Sequence, residues 1–532
     1  MPGKPGSSPA AEAPRPFLTG LSPARALALP GAFAIALGAL ALLVARRDAV
    51  LFRTFLGAAG ALLVWSAVLS VAAGRAKRTL TLEILLRRQH WLQACAQGTV
   101  LLYWGWHARI VYAFLPFILA QLIFAYAFDS LLSWSRRDRW ALGFGPFPVI
   151  FSINLFLWFR LQSFYWQFAM IAVGFAAKEF IRWKKEGRSA HIFNPSSFPL
   201  TVFSLALIVT GASNLTFGYV IANTQFDTPY IYLVIFLAAL PGQLLFGVAM
   251  MTMPAVITMY AVGLLYFHAT GTYLFYDAYI PVPVFLGMHL LMPDPSTSPR
   301  TELGRITFGV LYALGTVMFY VLLTGMGAPT FYDKLLPVPL MNLLVRLIDR
   351  VAASRPFTVL DPSRVGGALT PRGRRVAYAS IWVCVFVAMS AFKGVGDTHP
   401  GQYLPFWQKA CGAGSARACT YAMNLTLIYC NNGSGWACNE VGILRMERNE
   451  AVGAAFTRAC GLGFSPACDN ANRMTSGARP LARARPLLAD LPIVLRGTKP
   501  PLRERDPAKL YAIACEQAWP GMCDGRAGEK QP

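Results

Sequence analysis

Three short polar segments interrupt otherwise continuous hydrophobic sequence, and they constrain the fold more than any other feature. The segments are HIFNPSSF (His191 to Phe198), MPDPSTSP (Met292 to Pro299) and LMNLLVRLID (Leu340 to Asp349). Lipid cannot satisfy backbone N–H and C=O groups, so an Asn-Pro or Asp-Pro break at membrane depth is tolerated only where it lines a protein-enclosed site. Proline removes a backbone donor and pushes the preceding residue out of the helical region. Asn194 and Asp294, each before a proline, are therefore predicted to present free polar groups at a helix end.

The composition around these breaks is that of a membrane protein. Hydrophobic residues make up 55% of the 532 residues and charged residues only 14%, whereas soluble domains carry about 25% charge. Apolar runs recur that match the roughly 17 to 25 residues needed to cross about 30 Å of hydrocarbon as a helix. The sequence predicts an all-α polytopic membrane protein with about 11–13 transmembrane helices, some of them broken.

The formal net charge of +23 has two interpretations, nucleic-acid binding and the positive-inside bias of membrane proteins. The placement of the charges favours the second, so the lipid bilayer is an expected partner and nucleic acid is not. The basic clusters flank the ends of predicted spans and comprise Arg75, Lys77, Arg78, Arg87 and Arg88; Arg136, Arg137 and Arg139; Arg182, Lys184, Lys185 and Arg188; and Arg372, Arg374 and Arg375.

Composition shifts predict the domain boundaries. Thirteen crossings from a cytoplasmic start put every one of these clusters in the cytoplasm and everything after about residue 396 outside, which in a bacterial inner membrane means the periplasm. The predicted segments are a disordered tail (1–22), a transmembrane pair (23–89), a transmembrane core (90–350), a cytoplasmic linker (351–375), a last transmembrane helix (376–395) and a Cys-rich helical region (396–532).

Eight of the ten cysteines follow residue 400 and repeat one interval, C-x7-C. That spacing does not fit zinc knuckles, whose paired ligands are about two to four residues apart. It fits a disulfide that brackets the turn between two antiparallel helices, in an oxidising compartment such as the periplasm. Cys95 and Cys384 fall inside predicted spans and are expected to be buried. The predicted pairs are Cys411–Cys419, Cys430–Cys438, Cys460–Cys468 and Cys515–Cys523.

The sequences around these cysteines, RACGLGFSPACDNAN and KACGAGSARACTYAM, resemble Cys-rich Sel1-like repeats. The resemblance implies helix–turn–helix units with one disulfide per repeat, and a periplasmic protein as a partner. The intervals between pairs of 19, 30 and 55 residues are irregular, so the array is predicted to be degenerate.

The three breaks resemble, in order and wording, those of the RnfD/NqrB family, the membrane subunits of Rnf electron-transport complexes and of the sodium-translocating NADH:quinone reductase. That family has an FNPA-like break, then a DPV-type break followed by G-x-x-x-FG, and last an LLMN…P-ID helix; here the second reads DPSTSPRTELGRITFG and the third ends at Asp349. The resemblance covers roughly residues 90–350. It implies a membrane redox subunit carrying FMN, with other redox-complex subunits as partners.

In that family FMN is attached through its phosphate to a threonine, and Thr228, ahead of Thr216, is the candidate acceptor here. The residues before it do not match the family's S-x-A pattern, so a polar turn at Asp227-Thr228-Pro229 is the alternative. Non-covalent FMN binding between spans, with Asn194 and Asp294 offering hydrogen bonds, is a further possibility.

Three polar residues of the breaks have roles that the sequence leaves open. Asp294 either serves a site or caps the helix that follows. Asn342 and Asp349 lie seven residues apart, two turns of one helix, and so share a face; Asn342 could cross-link helices, and Asp349 could pair with Arg346 or Arg350. No metal site and no catalytic residue is predicted.

Three functions remain open from the sequence. The first is a membrane electron-transport subunit of RnfD/NqrB type that holds FMN and is coupled to ion movement. The second is a permease-like protein on the same fold without flavin, as in the related membrane proteins named for enediyne biosynthesis. The third is a membrane platform that recruits a partner through its periplasmic repeats.

Overall fold

The computed structural model describes residues 17–44, 48–185, 188–365, 369–447, 453–476, 478, 484–495 and 504–523. The described chain is mostly helical and divides into two compact units. Unit one comprises Met1–Thr258 and Val282–Cys384, and unit two comprises Met259–Pro281 and Val385–Pro532.

Unit one is built from consecutive helices. They are α1 (Pro23–Val44), α2 (Ala49–Arg75), α3 (Arg88–His107), α4 (Arg109–Arg136), α5 (Pro146–Phe156), α6 (Tyr165–Phe180), α7 (Ser197–Val209), α8 (Gly218–Asp227), α9 (Ile231–Phe246), α10 (Ala249–Thr270), α11 (Val282–Leu286), α12 (Glu302–Gly325), α13 (Pro337–Ala352), α14 (Pro362–Val365) and α15 (Pro371–Ala391). The last residues of α10 and α15 belong to unit two.

Six of the helices in the described residues are long and apolar enough to cross a membrane: α1, α2, α4, α10, α12 and α15. Helices α8 and α9 pass the same test together but are bent by 98° at their junction. Shorter apolar helices are α5, α7 and the stretch Val282–Leu291, in which α11 continues as a π-helical turn, Gly287–Leu291. These lengths and compositions are those of a multi-pass membrane protein.

The expectation of an all-α fold is incomplete, because two small sheets form in the basic loops. Strands β1 (Phe17–Leu21), β2 (Leu80–Ile84) and β3 (Arg139–Leu142) make one sheet, in which β2 pairs antiparallel with β1 and parallel with β3. Strands β4 (Arg182–Lys185) and β5 (Arg188–His191) pair antiparallel. The predicted disordered tail is also too long, since β1 lies inside it; residues 1–16 lie outside the described residues.

The glycines of the second break's motif allow close helix contacts. A Cβ on Gly309 would lie 2.1 Å from the carbonyl oxygen of Met251, so α12 approaches the backbone of α10 there. A Cβ on Gly304 would lie 2.4 Å from Thr301 Oγ1. On α6, a Cβ on Gly174 would lie 2.5 Å from the carbonyl oxygen of Pro195, which presses the first break against that helix.

The described part of unit two contains seven further helices: α16 (Leu404–Gly412), α17 (Ala416–Asn431), α18 (Gly435–Glu447), α19 (Gly453–Gly461), α20 (Ser465–Thr475), α21 (Leu491–Val494) and α22 (Pro507–Glu516). Their apolar faces share one core, which includes Trp407, Tyr429, Trp436 and Phe464. Aromatic residues of 259–281 join it: Tyr276 stacks on Tyr421 with ring centroids 4.0 Å apart.

The structure confirms all four predicted disulfides, with Cα–Cα distances of 4.5 to 4.7 Å. Cys411–Cys419 and Cys430–Cys438 bracket the turns at the two ends of α17, and Cys460–Cys468 brackets the α19–α20 turn. Adjacent turns thus carry disulfides, which explains the irregular intervals. A glycine with positive φ lies in each bracketed turn, where a Cβ would strain the backbone: Gly414, Gly433 and Gly463.

The two remaining cysteines correct an expectation. Cys95 and Cys384 are exposed rather than buried, and neither is in a disulfide. Both lie on faces of α3 and α15 that other helices do not cover, and a thiol is apolar enough for such a surface.

Candidate functional site

Asn342 joins the three breaks to one another. Its Oδ1 accepts a hydrogen bond from the backbone N–H of Asn194 at 3.1 Å, and its Nδ2 donates to the carbonyl oxygen of Thr297 at 3.3 Å. The side chain is fully buried. Asn342 thus forms cross-links, as predicted, but its partners lie in the loops of the first and second breaks rather than in other helices.

Asn194 organises the first break. Its Oδ1 accepts from the backbone N–H groups of Ser196 (2.9 Å) and Ser197 (3.2 Å), which lie at the start of α7. Its Nδ2 donates to the carbonyl oxygen of Leu291, at the end of the π-helical turn, at 3.1 Å. The Asn194 amide thus accepts from backbone N–H groups at the start of α7 and donates to a backbone carbonyl at the end of the π-helical turn. Such groups at helix ends have no partner within their own helix and need one from elsewhere.

Asp294 closes a turn inside the second break. Its Oδ1 accepts from the Ser296 backbone N–H at 3.0 Å and from the Ser296 hydroxyl at 2.8 Å. His191 Nε2 lies 3.0 Å from the Ser296 oxygen. Since the one hydroxyl proton of Ser296 points to Asp294, Nε2 of His191 is assigned as the donor. A His191–Ser296–Asp294 chain results, connecting the first and second breaks.

The alternative that Asp294 caps the following helix is wrong. Thr301 caps α12, accepting from the Gly304 N–H at 3.1 Å. Asp349, at the far end of α13, accepts from the N–H groups of Arg300 (2.9 Å) and Thr301 (3.1 Å). Its partners are therefore these backbone donors rather than Arg346 or Arg350, because a carboxylate is favoured at the positive end of a helix.

The first and second breaks form part of the wall of one cavity of about 620 Å³ in unit one. The cavity is lined by residues of α3, α4, α5, α6, the β4–β5 hairpin and the second break. Asn194, Asp294, Ser296 and His191 are among them. At its buried end lies a contact in which Gln97 Nε2 donates to Ser152 Oγ at 2.7 Å.

Charges of both signs line the cavity in equal number. The acidic residues are Glu83, Asp129, Asp138, Glu179 and Asp294, and the basic residues are Arg87, Arg137, Arg139, Lys178 and Arg182. Several are paired, with Arg137 Nη2 2.6 Å from Glu179 Oε2 and Lys178 Nζ 3.6 Å from Asp129 Oδ1. Three of the separate basic clusters thus meet at one cavity.

Two histidines on the wall are held neutral. Burial, followed by the cations Lys178 and Arg87, lowers the pKa of His90 to about 4. Burial also lowers the pKa of His191, against the opposing effect of Asp294. A neutral imidazole has one donor and one acceptor nitrogen. Because the donor of His191 is used by Ser296, His191 offers a ligand only an acceptor, whereas His90 offers one donor and one acceptor.

Thr228 lies apart from this constellation. It ends α8 at the 98° bend, is fully buried, and its hydroxyl donates to the Thr224 carbonyl oxygen at 2.8 Å. Thr216 is also buried, and its hydroxyl donates to the Ser213 carbonyl oxygen at 2.9 Å. Neither threonine lines the cavity. Both hydroxyls are thus used locally, as in the predicted polar turn.

Sequence reasoning missed the polar face of α3. Gln89, Gln93 and Gln97 line the cavity, and their four-residue spacing places them on one side of the helix. Three glutamines at helical spacing inside an apolar run were the available signal.

Sequence reasoning also missed a buried ion pair between Asp333 and Lys334, with 3.7 Å between Oδ1 and Nζ. Burial raises the pKa of Asp333 to about 6 and lowers that of Lys334.

Among the described residues no group of three or more His, Cys, Asp or Glu side chains is placed to hold a metal ion. No protein-family model matches the chain, and comparisons with curated proteins and with solved structures gave no significant match. The resemblance to the RnfD/NqrB family therefore rests on the three motifs alone.

Proposed function

We propose that this chain is a permease-like multi-pass protein of a bacterial inner membrane, and that its 620 Å³ cavity binds a polar small molecule. The observation that carries the proposal is that the first and second breaks both line this cavity, where the third break holds them together through Asn342. Broken helices that present backbone and side-chain polar groups to an enclosed space are how membrane transporters build solute sites.

The ligand class follows from the lining. The volume lies in the roughly 300–1,000 Å³ range of small-molecule sites. Acidic, basic, amide and imidazole groups share the wall, so the expected ligand carries charge as well as hydrogen-bonding groups. A lipid tail or another wholly apolar molecule would leave those groups without partners, at about 1 to 3 kcal/mol each.

The topology fits entry from the cytoplasm. The lining includes Arg87, Arg137 and Arg182, which belong to the clusters that the positive-inside bias assigns to that side. Thirteen crossings remain the proposed count, with the short helices α5, α7 and the Val282–Leu291 stretch each counted as one. The disulfide-linked helices of unit two would then lie in the periplasm as degenerate Sel1-like repeats able to recruit a protein partner.

FMN is a second candidate occupant, which would make the protein an electron-transport subunit of RnfD/NqrB type with other redox subunits as partners. The favouring observation is that cationic side chains for a phosphate and amides for a flavin ring edge line one wall. Asn194 and Asp294 line that wall, and Asn342 holds the breaks in place. Attachment to Thr228 would require its buried hydroxyl to leave the Thr224 carbonyl, so non-covalent binding is the form proposed.

A plug in the cavity tests the first proposal. Ser152 lines the buried end and is 3% exposed, so Ser152→Phe places a ring in the cavity. Purified protein would be screened for thermal stabilisation by charged small molecules, with Leu119→Phe, on an exposed position of α4, as the matched control. We expect stabilisation in the wild type and control and its loss in Ser152→Phe.

Stabilisation that survives the plug would place binding elsewhere and refute the proposal. A visible absorption spectrum of the same preparation separates the two occupants. A flavin spectrum that disappears in Ser152→Phe would support the electron-transport function, and a colourless wild-type protein would exclude it.

A further inference from the structure

A second, smaller cavity of about 30 Å³ lies beside the main one in unit one. Gln93 and Leu290 line both cavities, so one wall separates them. Besides Gln93, two polar side chains line the small cavity, His289 of the π-helical turn and Gln243 of α9. Most of the remaining lining is apolar, and includes Leu92, Ala239 and Phe246.

His289 presents a free lone pair to this space. Its Nδ1 lies 2.8 Å from the carbonyl oxygen of Phe285, and since a carbonyl only accepts, Nδ1 carries the proton. The other ring nitrogen, Nε2, is buried and has no hydrogen-bond partner within the described chain. The ring is held by Phe285, with centroids 4.0 Å apart, and by stacking on Trp382 at 5.9 Å.

Gln243 is 1% exposed, and neither its Nε2 nor its Oε1 has a hydrogen-bond partner in the described residues. Leaving a buried amide without partners costs about 1 to 3 kcal/mol for each polar group. The cavity is large enough for one water molecule, which needs two to four polar partners. His289 Nε2 and the two ends of the Gln243 amide supply three.

We propose that the small cavity is a proton-binding site, in which His289 Nε2 accepts a proton through a single water molecule held by Gln243. A proton that reaches this water makes it a hydronium ion, which transfers one proton to His289 Nε2 and becomes water again. Hydronium and neutral imidazole thus give water and imidazolium, so charge and atoms balance. The amide serves both states. Its N–H donates to the water while His289 is neutral, and its oxygen accepts from the water once Nε2–H donates.

The charged groups around the site decide how the added charge is held. Among the described residues, titratable side chains in contact with α11 and the π-helical turn include Tyr232, beside Phe285, and Tyr312 and Lys334, both beside Gly287. Asp333 is paired to Lys334. Across the Leu290 wall, the main cavity presents His90 and Asp294.

A buried charge inside a membrane protein persists only with a compensating group. An imidazolium at His289 would therefore respond to what occupies the main cavity. We infer that proton binding at His289 is coupled to ligand binding in the main cavity; this coupling rests on the proposed function.

Titration of His289 in lipid bilayers tests the site directly. Protein labelled with ¹⁵N-histidine would be followed by NMR as the pH is lowered, with His289→Gln identifying the resonances of His289. We expect Nε2 to be unprotonated at high pH and to gain a proton reversibly on acidification. An imidazole that stays neutral at every pH at which the protein remains folded would overturn the proposal.

Gln243→Leu removes the polar partner while keeping the volume, and should lower the proton affinity of His289 at least tenfold. Leu237→Ala, at an exposed position of the same helix, is the control. An unchanged affinity in Gln243→Leu would show that the amide and its water do not serve the proton. The wild-type titration decides the proposal by itself if the variant does not fold.

The coupling has its own readout. Ser152→Phe places a ring in the main cavity and should change the proton affinity of His289 at least threefold. An affinity equal to that of the wild type would refute the coupling. If no small molecule stabilises the protein yet His289 titrates, the proposed function fails and the proton site stands. If a ligand binds and His289 never titrates, only the proton site fails.

Discussion

Asn342→Leu tests whether one side chain holds the three breaks together. The substitution keeps volume and apolar character but removes the acceptor of the Asn194 N–H and the donor to the Thr297 carbonyl. Both backbone groups would remain buried without partners, at about 1 to 3 kcal/mol each. We therefore expect a loss of about 2 to 6 kcal/mol of unfolding free energy, together with loss of ligand stabilisation.

Unfolding by SDS in mixed micelles, followed by circular dichroism, measures this loss. Asn342→Asp keeps the Oδ1 acceptor and removes only the amide donor, so it should be less destabilising if the Asp remains protonated. Leu343→Ala alters the next residue on α13, which is 51% exposed, and should have little effect. An Asn342→Leu protein as stable as Leu343→Ala would refute the view that Asn342 is the junction of the breaks.

Three further predictions follow from individual contacts. Replacing Cys460 and Cys468 with Ala opens a loop of about nine residues and should cost about 2 to 3 kcal/mol in the chain-entropy account, whereas Cys95→Ala, an exposed thiol outside any disulfide, should not change the thermal unfolding of unit two. Lys334→Met leaves the Asp333 carboxylate buried and unpaired and should destabilise by about 3 to 5 kcal/mol; the double variant with Asp333→Asn should recover part of this in the same SDS assay. The folded-state pKa of His90 is lowered to about 4, so between about pH 6.5 and 4 only the unfolded state gains the proton. The unfolding free energy should therefore fall with acidification over that window, and fall less in His90→Asn. An equal dependence of the unfolding free energy on pH in the two proteins would contradict the burial of a neutral His90.

The sequence was sufficient where a polar group had one physical solution. An Asn-Pro or Asp-Pro pair in an apolar run needs enclosed partners, and Asn194 and Asp294 accordingly line one cavity. Their side chains are hydrogen-bonded, not free as the sequence had predicted them to be. Asn342, predicted to cross-link, accepts a hydrogen bond from the Asn194 backbone N–H. The C-x7-C interval was similarly decisive, because two cysteines at that spacing face each other across the turn between two antiparallel helices.

Other features depended on partners distant in the chain. The alternating residues TLTLEI at β2 have the period of a strand, but the sequence alone does not show which strands pair with it. Its parallel partner β3 is distant in the chain, and the hydrogen bond beside it joins Arg78 to Asp138, 60 residues away. From the sequence, the neighbouring cations Arg346 and Arg350 looked like the partners of Asp349. The structure instead pairs the carboxylate with the backbone N–H of Arg300, 49 residues earlier and just before α12, where the positive end of the helix favours it. Whether Cys95 is exposed depends on which face of α3 the other helices cover. Hydrophobic periodicity cannot predict the covered face of α3, because polar residues lie on its packed side.

The glutamines of α3 connect the two cavities in a way that neither cavity would reveal alone. Gln89, Gln93 and Gln97 follow one face of α3 along the main cavity, and Gln93 also reaches the wall of the small one. Glutamine is neutral at every pH and both donates and accepts, so such a row can pass hydrogen bonds inward without the cost of a buried charge. The main cavity thus carries charged groups such as Arg87 and Arg137 together with the neutral amides of α3, and the small cavity that shares Gln93 with it carries the titratable ring of His289. This arrangement places the titratable ring of His289 next to the cavity in which a ligand is proposed to bind, as the proposed coupling between proton and ligand requires.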